Sequence, residues 1–418
     1  MTRPTPLPDD LDPAALDVIS PEKYEREGYP HAEWRWLRRH APVRRFEGER
    51  HEPFFAVTKH ADIVAIGKNP RDWLLEPRLA VFMRDVIAPE NAPARHLLTM
   101  DPPEHGRFRN LTSKAFTPRT VQVWAPKIER VTRDVLDRAA AKGDIDFVAD
   151  VSAPITIAVI ALMLGVPEED WPLLFRWTNE SIAPEDPEFA RGRTPTETLT
   201  TARNELFAYF KRLADDRRAN PREDILSLVA QGRIEGAPLG DFELLSYYFL
   251  LVVAGNETTR NAMTGGIQCF LDAPDQWARL AADAALVDPA VEETVRMITP
   301  VIQFTRTAAR DLALRGETVR AGESVCLFYA SGNRDEEVFE DPYAFRIDRR
   351  PNDHVGFGRG EHVCLGAHLA RLEIRTMYAQ LRERLVRMER TAPPVRVRSS
   401  FVGGIKRAPM RWELRPAP

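Results

Sequence analysis

The residues best suited to chemistry lie near the C-terminus, in HVGFGRGEHVCLG over positions 354–366. Three glycines precede Cys364, and a segment of helical periodicity begins at Leu365. A thiolate at a helix start is stabilised by the helix dipole and by backbone N–H groups, which lower its pKa and tune its donation to a metal. The glycines could instead bind phosphate, but GxxxxGK is absent and GFGRGE departs from GxGxxG at its last position. We therefore expect a thiolate ligand beside a flat partner, which the glycines allow the backbone to approach closely.

A second candidate site interrupts a long helical segment at residues 241–271. Here AGNETT at positions 254–259 follows the apolar run YYFLLVV. A glycine inside a helix costs about 1 kcal/mol relative to alanine, and threonines can bond back to the preceding turn. We therefore expect the helix to bend or open at this point. Taken alone, the feature is an ordinary helix defect.

Two further pairs of residues have helical spacing. Glu293 and Arg296 lie three positions apart, shortly before Pro300, and this spacing allows an ion pair of the kind usually found on surfaces. His105 and Arg109, in DPPEHGRFRNL, lie four apart and would share one face of a short helix. By itself that face is an ordinary solvated basic surface.

The pattern FGxGxHxCxG at positions 357–366 resembles the haem-binding signature of the cytochrome P450 family. The resemblance extends from a hairpin near Phe55 to the closing FVGG, with the motifs in the family order. It implies the cytochrome P450 fold, a single large triangular α+β domain that is mainly α with small β portions, and haem b (iron protoporphyrin IX) as cofactor. It also makes Cys364 the metal ligand, whose thiolate pushes electron density toward the iron and favours cleavage of the O–O bond.

The resemblance also gives roles to the other motifs. Thr258 would position dioxygen and its proton-delivering water, and Glu257, in place of the aspartate of many family members, would relay protons from solvent. Glu293 and Arg296 would form a buried structural pair that braces the cysteine loop. His362 would pack beside the haem edge and support the same loop.

Haem carries two propionates, and buried carboxylates need cationic or hydrogen-bonding partners. The resemblance implies that His105, Arg109, Arg306 and His354 meet them. Ala254 and Gly255 would leave room for oxygen. The full set of expected haem contacts is Cys364, His105, Arg109, Arg306, His354, Phe357, Gly358, Gly366, Ala254 and Gly255.

The family reaction inserts one atom of dioxygen into an unactivated C–H bond. Nothing after Gly366 resembles a flavin or iron–sulfur module, so the resemblance implies electrons from a ferredoxin and its NAD(P)H-dependent reductase. A basic surface near Arg107, Lys114 and Arg359 could attract an acidic ferredoxin. Two alternatives remain, a peroxide-driven peroxygenase or decarboxylase of the same fold and a haem sensor without turnover. The acid and alcohol of AGNETT favour the monooxygenase.

The sequence as a whole resembles those of bacterial hydroxylases of terpenes, steroids and branched lipids, including the terpineol hydroxylase. We therefore expect an apolar small-molecule substrate. Arg78 or Arg84 could instead meet a substrate carboxylate, although surface arginines are commoner. The expected pocket residues are Leu79, Val81, Phe82, Met83, Val253, Ala254, Ile302, Phe304, Phe401 and Val402.

The composition fits a globular protein, with 418 residues, a formal net charge of −4 and 44% hydrophobic residues. Basic residues are scattered among acidic residues along the whole chain, which argues against a nucleic-acid partner. We find no apolar stretch long enough for a membrane anchor or signal peptide. Cys269, Cys326 and Cys364 match neither a disulfide framework nor a zinc site. We expect a cytoplasmic monomer with one domain over 1–418, in which 1–20 is an extended N-terminal segment.

The elements that must position these residues are mostly helical. A hairpin is predicted within 44–66, and short β-like stretches within 302–330 and 395–414. Two long loops, 73–98 and 181–196, contain prolines and are predicted to let substrate enter. Apolar residues recur at helical spacing near 121–140, 153–165, 198–219, 241–271, 276–284, 289–298 and 366–386.

Overall fold

The computed structural model describes residues 11–84, 86 and 95–416. The helices in these ranges are α1 (Pro21–Glu27), α2 (His31–His40), α3 (His60–Gly67), α4 (Glu104–Asn110), α5 (Pro118–Gln122), α6 (Ala125–Ala140), α7 (Ala153–Leu164), α8 (Trp171–Ile182), α9 (Pro195–Ala219), α10 (Ile225–Ala230), α11 (Asp241–Asp272), α12 (Pro274–Ala282), α13 (Val287–Ile298), α14 (Tyr329–Gly332) and α15 (Ala367–Arg384). The strands are β1 (Val43–Phe46), β2 (Phe54–Val57), β3 (Trp73–Leu74), β4 (Asp144–Asp146), β5 (Arg233–Ile234), β6 (Ala237–Pro238), β7 (Gln303–Ala308), β8 (Leu312–Leu314), β9 (Glu317–Val319), β10 (Ser324–Phe328), β11 (Leu385–Arg390), β12 (Val395–Arg396), β13 (Ile405–Arg407) and β14 (Pro409–Leu414).

The mainly helical fold predicted from the sequence is confirmed, and each predicted helix is present with boundaries shifted by a few residues. The hairpin is β1 and β2, paired antiparallel. Helix α8 was not predicted, although Leu174 and Trp177 have helical spacing and are buried. The loop predicted over 181–196 is therefore shorter, and part of the loop at 73–98 lies outside the described residues. Residues 11–20 contain a single 3-10 turn, and the extended segment expected over 1–20 stays a prediction.

Helix α11 is the central helix and packs against α7, α8, α9 and α13. Its first turn is closed by the backbone N–H of Gly240, which donates to Glu243 Oε2 at 3.3 Å. The helix continues without a break through 254–259, so the predicted opening is not present. Thr258 Oγ1 does bond back to the carbonyl oxygen of Ala254, at 2.9 Å.

Gly255 lies where α7 and α11 pack against each other, and this contact gives it a role besides the expected one of leaving room for oxygen. A Cβ at this position would lie 2.9 Å from Ile160 Cδ1 on α7. A contact that short requires one of the two atoms to move, so the glycine allows α7 and α11 to approach each other closely. The α7–α11 contact thereby fixes the helix that carries the AGNETT residues.

The main sheet has five strands in the order β1-β2-β10-β7-β3. Strand β7 lies between β10 and β3, antiparallel to both. Phe304 and Arg306 are two residues apart on β7 and therefore share one face of the sheet. Within the described residues, no helix has the length and apolar character needed to span a membrane. The single-domain organisation stays a prediction.

Candidate active site

A mostly apolar cavity extends between α11, β7 and the loop that precedes α15. Thr258 and Ala254 of α11 line it, as do Phe304 and Arg306 of β7, together with the cysteine loop. The cavity therefore brings together residues from three of the sequence motifs. The lining residues that the sequence analysis did not predict include Leu97, Leu98, Leu250, Leu251, Val295 and Val301.

The Cys364 side chain opens onto this cavity, while the cavity itself lies inside the protein. Its backbone N–H donates to the carbonyl oxygen of Phe357 at 2.9 Å, which closes the loop. Burial raises the pKa of the thiol, and the backbone N–H of Gly366 and the charge of Arg109 only partly oppose this. The predicted lowering of the pKa is thus outweighed by desolvation in the protein alone. Metal binding at this sulfur would release the thiol proton.

The glycines leave parts of the cysteine loop that line the cavity without side chains. Gly358 and Gly360 have positive φ, 71° and 79°, which other residues rarely adopt. A Cβ at Gly366 would meet no atom within 4 Å, and one at Gly358 would meet only the carbonyl oxygen of His362, at 3.8 Å. Phe357 lines the cavity and is held by Arg371, whose guanidinium carbon lies 4.4 Å from the ring centroid. These parts of the loop fit the planar ring of a haem.

A group that owes its positive charge to its two arginines, here called the cationic group, lies at the edge of the same cavity. It consists of His105, Arg109, Arg306 and His362. The rings of His105 and His362 have centroids 3.9 Å apart. Burial, reinforced by the charge of Arg109, lowers the pKa of His105 to about 4. Burial, with the charges of His105 and the two arginines, lowers that of His362 to about 2.

Several polar atoms of this group have no protein partner among the described residues. They are Nε2 of His105 and both ring nitrogens of His362. Buried polar atoms are normally hydrogen-bonded, so a ligand with acceptor atoms fits here. Arg109 uses one nitrogen, Nη2, to bond the carbonyl oxygen of Val363 at 2.8 Å. Two carboxylates such as the haem propionates would satisfy both the charge and the free nitrogens.

His354, expected among these contacts, is not brought to the cavity. Its Nε2 lies 3.0 Å from Glu292 Oε2, and its Nδ1 accepts from the backbone N–H of Gly356 at 3.2 Å. Burial opposes ionisation of Glu292, but hydrogen bonds from His354 and Arg371 lower its pKa to about 2. Both ring nitrogens of His354 therefore have partners, Nε2 on α13 and Nδ1 within its own loop. His362 replaces it in the expected set, and its position two residues before Cys364 was the available signal.

The two residues predicted to move protons are placed differently. Thr258 lines the cavity, whereas Glu257 does not and is buried beside it on α11. The Glu257 carboxylate forms an ion pair with Arg260 and accepts from Asn261 Nδ2 at 3.1 Å. The carboxylate is therefore held on the side of α11 that does not line the cavity.

Glu293 and Arg296 form the expected buried pair, with both oxygens of the carboxylate 2.8 Å from the guanidinium. Arg296 Nη1 also donates to the carbonyl oxygens of Asn333, at 2.8 Å, and Pro342, at 2.7 Å. Asn352 Nδ2 donates to Glu293 Oε2 at 3.1 Å. The pair therefore ties α13 to the segment that leads into the cysteine loop.

Of the ten expected pocket residues, Ala254 and Phe304 line the cavity. Phe401 lies behind Phe304, with ring centroids 5.6 Å apart, and Phe82 lies behind Phe401 at 5.3 Å. The other expected residues do not line the cavity, and most are buried elsewhere. They are Leu79, Val81, Met83, Val253, Ile302 and Val402.

Comparisons with known proteins agree with this site. A family model described as Cytochrome P450 matches residues 193–385. Cytochrome P450-terp of Pseudomonas sp. is 33% identical over 414 residues, which cover 95% of this chain and 97% of that protein. The steroid C26-monooxygenase of Mycobacterium tuberculosis is 36% identical over 423 residues, covering 99% of this chain and 95% of that one. The solved structure of Mycobacterium marinum cytochrome P450 CYP268A2 in complex with pseudoionone superposes with a TM-score of 0.88 at 34% identity, covering 95% of this chain and 98% of that chain.

A chain with this identity over nearly its whole length belongs to the cytochrome P450 family. It is a cytochrome P450 monooxygenase, and the family uses a haem cofactor, dioxygen and a small-molecule substrate.

Proposed function

We propose that this monooxygenase hydroxylates an apolar small molecule, a terpenoid, steroid or lipid-like compound, and that its cofactor is haem b. The observation that carries the proposal is a thiol that opens onto an apolar cavity also lined by Thr258. When bound, the haem supplies the chemistry that inserts one oxygen atom of dioxygen into a C–H bond, while two electrons and two protons reduce the other atom to water.

Each group around the cavity has a part in this proposal. Cys364 would bind the iron, and the parts of the loop at Gly358 and Gly366 would face the ring. His105, Arg109, Arg306 and His362 would hold the propionates. The Thr258 hydroxyl, whose proton is donated to the carbonyl oxygen of Ala254, keeps its lone pairs free to accept a hydrogen bond from the cavity side. Glu257 would bring protons to that hydroxyl from the protein interior.

The substrate class follows from the wall and from the relatives. The described lining outside the cationic group is mainly Leu, Val, Ile, Ala and Phe. Such a wall favours a ligand without charge, because a buried charge would find no partner there. P450-terp, the steroid C26-monooxygenase and the pseudoionone complex support isoprenoid and steroid compounds as first candidates.

The electron donor is proposed to be a ferredoxin reduced by an NAD(P)H-dependent reductase. Lys114 is exposed on the chain segment after α4. Arg107 and Arg359 carry ion-pair partners, Glu235 and Asp353. An acidic ferredoxin would compete for these arginines and would meet Lys114 directly. The cytoplasmic location and the monomeric state stay predictions from the sequence.

The proposal is tested by the carbon monoxide difference spectrum of the dithionite-reduced protein. Wild type and Cys269→Ala are expected to show a strongly red-shifted Soret band, and Cys364→Ser is expected to lose it. Cys269 is the matched control because it is buried away from the cavity. A haem-free wild type, or a band that survives in Cys364→Ser, would overturn the assignment.

The substrate class is tested by titrating the oxidised protein with pseudoionone, a steroid and a charged fatty acid. Expulsion of water by a bound substrate shifts the Soret band, and we expect the shift with the uncharged compounds. Product formation with a surrogate ferredoxin and dioxygen, compared with peroxide alone, separates the monooxygenase from a peroxygenase and from a sensor without turnover. Product with peroxide but none with ferredoxin and dioxygen would contradict the ferredoxin-dependent function.

A further inference from the structure

A buried polar cluster lies on α11 beside the cavity but outside its lining. It comprises Glu257, Arg260 and Asn261 of α11 and Asn179 of α8, which are between 1% and 5% exposed. Buried ionic groups are rare unless they are paired, and none of the sequence motifs accounts for Arg260 or Asn179. The burial of these polar and charged side chains therefore needs an explanation.

The two oxygens of Glu257 have different surroundings. Oε1 accepts from Arg260 Nη2 and from Asn261 Nδ2. Oε2 is buried and has no partner among the described residues. Arg260 is itself fixed from α8, because its Nη1 donates to Asn179 Oδ1 at 2.9 Å and its guanidinium carbon lies 5.3 Å from the ring centroid of Phe175. One carboxylate oxygen is thus held and the other is free.

A neighbouring cluster, which joins α7, α8 and α11, lacks this asymmetry. Thr156 Oγ1 donates to Asn256 Oδ1 at 2.7 Å, and Asn256 Nδ2 donates to Thr178 Oγ1 at 2.9 Å. These groups are neutral and satisfy one another, as expected of a structural contact between helices. The free oxygen of Glu257 is therefore not a general property of this interface.

We propose that Arg260 is a positioning residue for the proton-relay acid. By holding Oε1, it gives the buried carboxylate a cationic partner, without which burial of the charge would be costly. Oε2 then accepts a proton that comes from solvent water and passes it toward the Thr258 hydroxyl. Only a proton moves in this step, and the carboxylate returns to its starting state. The inference rests on the proposed function of Glu257.

The first experiment compares Arg260→Gln, Glu257→Gln and the double variant, each as the haem-loaded protein. Acid–base groups contribute roughly 100-fold or more to rate, so Glu257→Gln is expected to slow dioxygen- and ferredoxin-driven turnover on that scale. Arg260→Gln is expected to slow it at least about tenfold and to change the solvent isotope effect. The double variant is expected to be no slower than Glu257→Gln, because Arg260 acts through Glu257. Turnover driven by peroxide needs no relay and should stay within about twofold of wild type.

A second readout does not depend on activity. Removing one member of a buried pair leaves the other charge uncompensated, whereas removing both does not. Arg260→Gln should therefore lower the unfolding temperature by more than the double variant does. Arg260→Lys restores the charge and should recover part of the turnover, and Asn179→Ala should give a smaller loss in the same direction. Thr178→Val, one residue from Asn179, is the control that disturbs α8 and α11 without touching the pair.

The outcomes separate the possible failures. An active wild type with undiminished dioxygen-driven turnover in Arg260→Gln overturns the role of Arg260. Equal losses with dioxygen and with peroxide, or equal losses in Thr178→Val, would make Arg260 merely structural and overturn the proposal as well. A wild type that turns over only with peroxide would instead refute the proposed function on which the relay depends.

Discussion

Replacing Gly255 by alanine tests whether this glycine serves helix packing or oxygen access. A Cβ there would lie 2.9 Å from Ile160 Cδ1 and 3.2 Å from its Cγ1. Overpacking of this kind costs about 1–3 kcal/mol, while alanine gains about 1 kcal/mol of helix propensity. Gly255→Ala should therefore lower the free energy of unfolding by up to about 2 kcal/mol.

The informative variant combines Gly255→Ala with Ile160→Val. Valine lacks the Cδ1 atom that the new methyl group would strike, and alone it costs about 0.5–1.5 kcal/mol. In that background the clash is largely removed and the propensity gain remains. The same Gly255→Ala change should then stabilise the protein by up to about 1 kcal/mol, a reversal of sign.

Urea unfolding of the four proteins measures this cycle, and turnover measured beside it reports on function. Gly106→Ala in α4 is the matched control, because its Cβ would meet no atom within 4 Å and the change should stabilise by about 1 kcal/mol. We expect turnover of the double variant to match that of Ile160→Val. If both alanine variants lose turnover alike and the sign of the stability change does not reverse, the glycine serves oxygen access and the packing argument is wrong.

Other residues of the protein are expected to control haem retention, the pH dependence of stability and ferredoxin binding. His362→Phe should release haem to excess apomyoglobin about tenfold faster than wild type, because it loses a hydrogen bond to a charged group. His354→Phe should instead lower the unfolding temperature and leave the rate of haem release unchanged. Burial raises the pKa of Glu373 well above its ordinary value of about 4.5, so the free energy of unfolding should fall as pH rises above that value. In urea unfolding between about pH 5 and 8, Glu373→Gln should weaken this loss of stability. The same loss in the variant as in wild type would contradict the prediction. Lys114→Glu should raise the KM for ferredoxin several-fold at low salt and less at high salt, and an unchanged KM would remove Lys114 from the docking surface.

The sequence predicts a site residue well when residues close to it in the chain fix its position, and poorly when distant residues do. Cys364, Gly358 and Gly366 line the cavity as expected, because one short loop fixes their relation to each other. It was harder to predict that His362 rather than His354 lines the cavity, although His362 lies two residues before Cys364. Both histidines flank the same glycines, and only the position of Glu292 on α13, far away in sequence, decides which ring faces the cavity.

The pocket wall was predicted least well. Phe304 was chosen correctly, and Ile302, two residues earlier, was not, since β7 begins only at Gln303. Val81 and Met83 are apolar loop residues, but their side chains join the core around Trp34 and Phe54 instead of the cavity. Apolar character predicts that a loop residue is buried, and it carries no information about which cavity or core receives it.

The two acid–arginine pairs show why chemistry is decided by three-dimensional surroundings. Glu293–Arg296 and Glu257–Arg260 have the same spacing, each within one helix, and both are fully buried. Both oxygens of Glu293 are held, by donors from Arg296, Arg349, Asn352 and the backbone of Arg346. Its carboxylate is therefore locked and suited to bracing. Within the described residues Glu257 keeps one oxygen without a partner, and this difference, which the sequence does not contain, supports its proposed role as the acid that exchanges a proton.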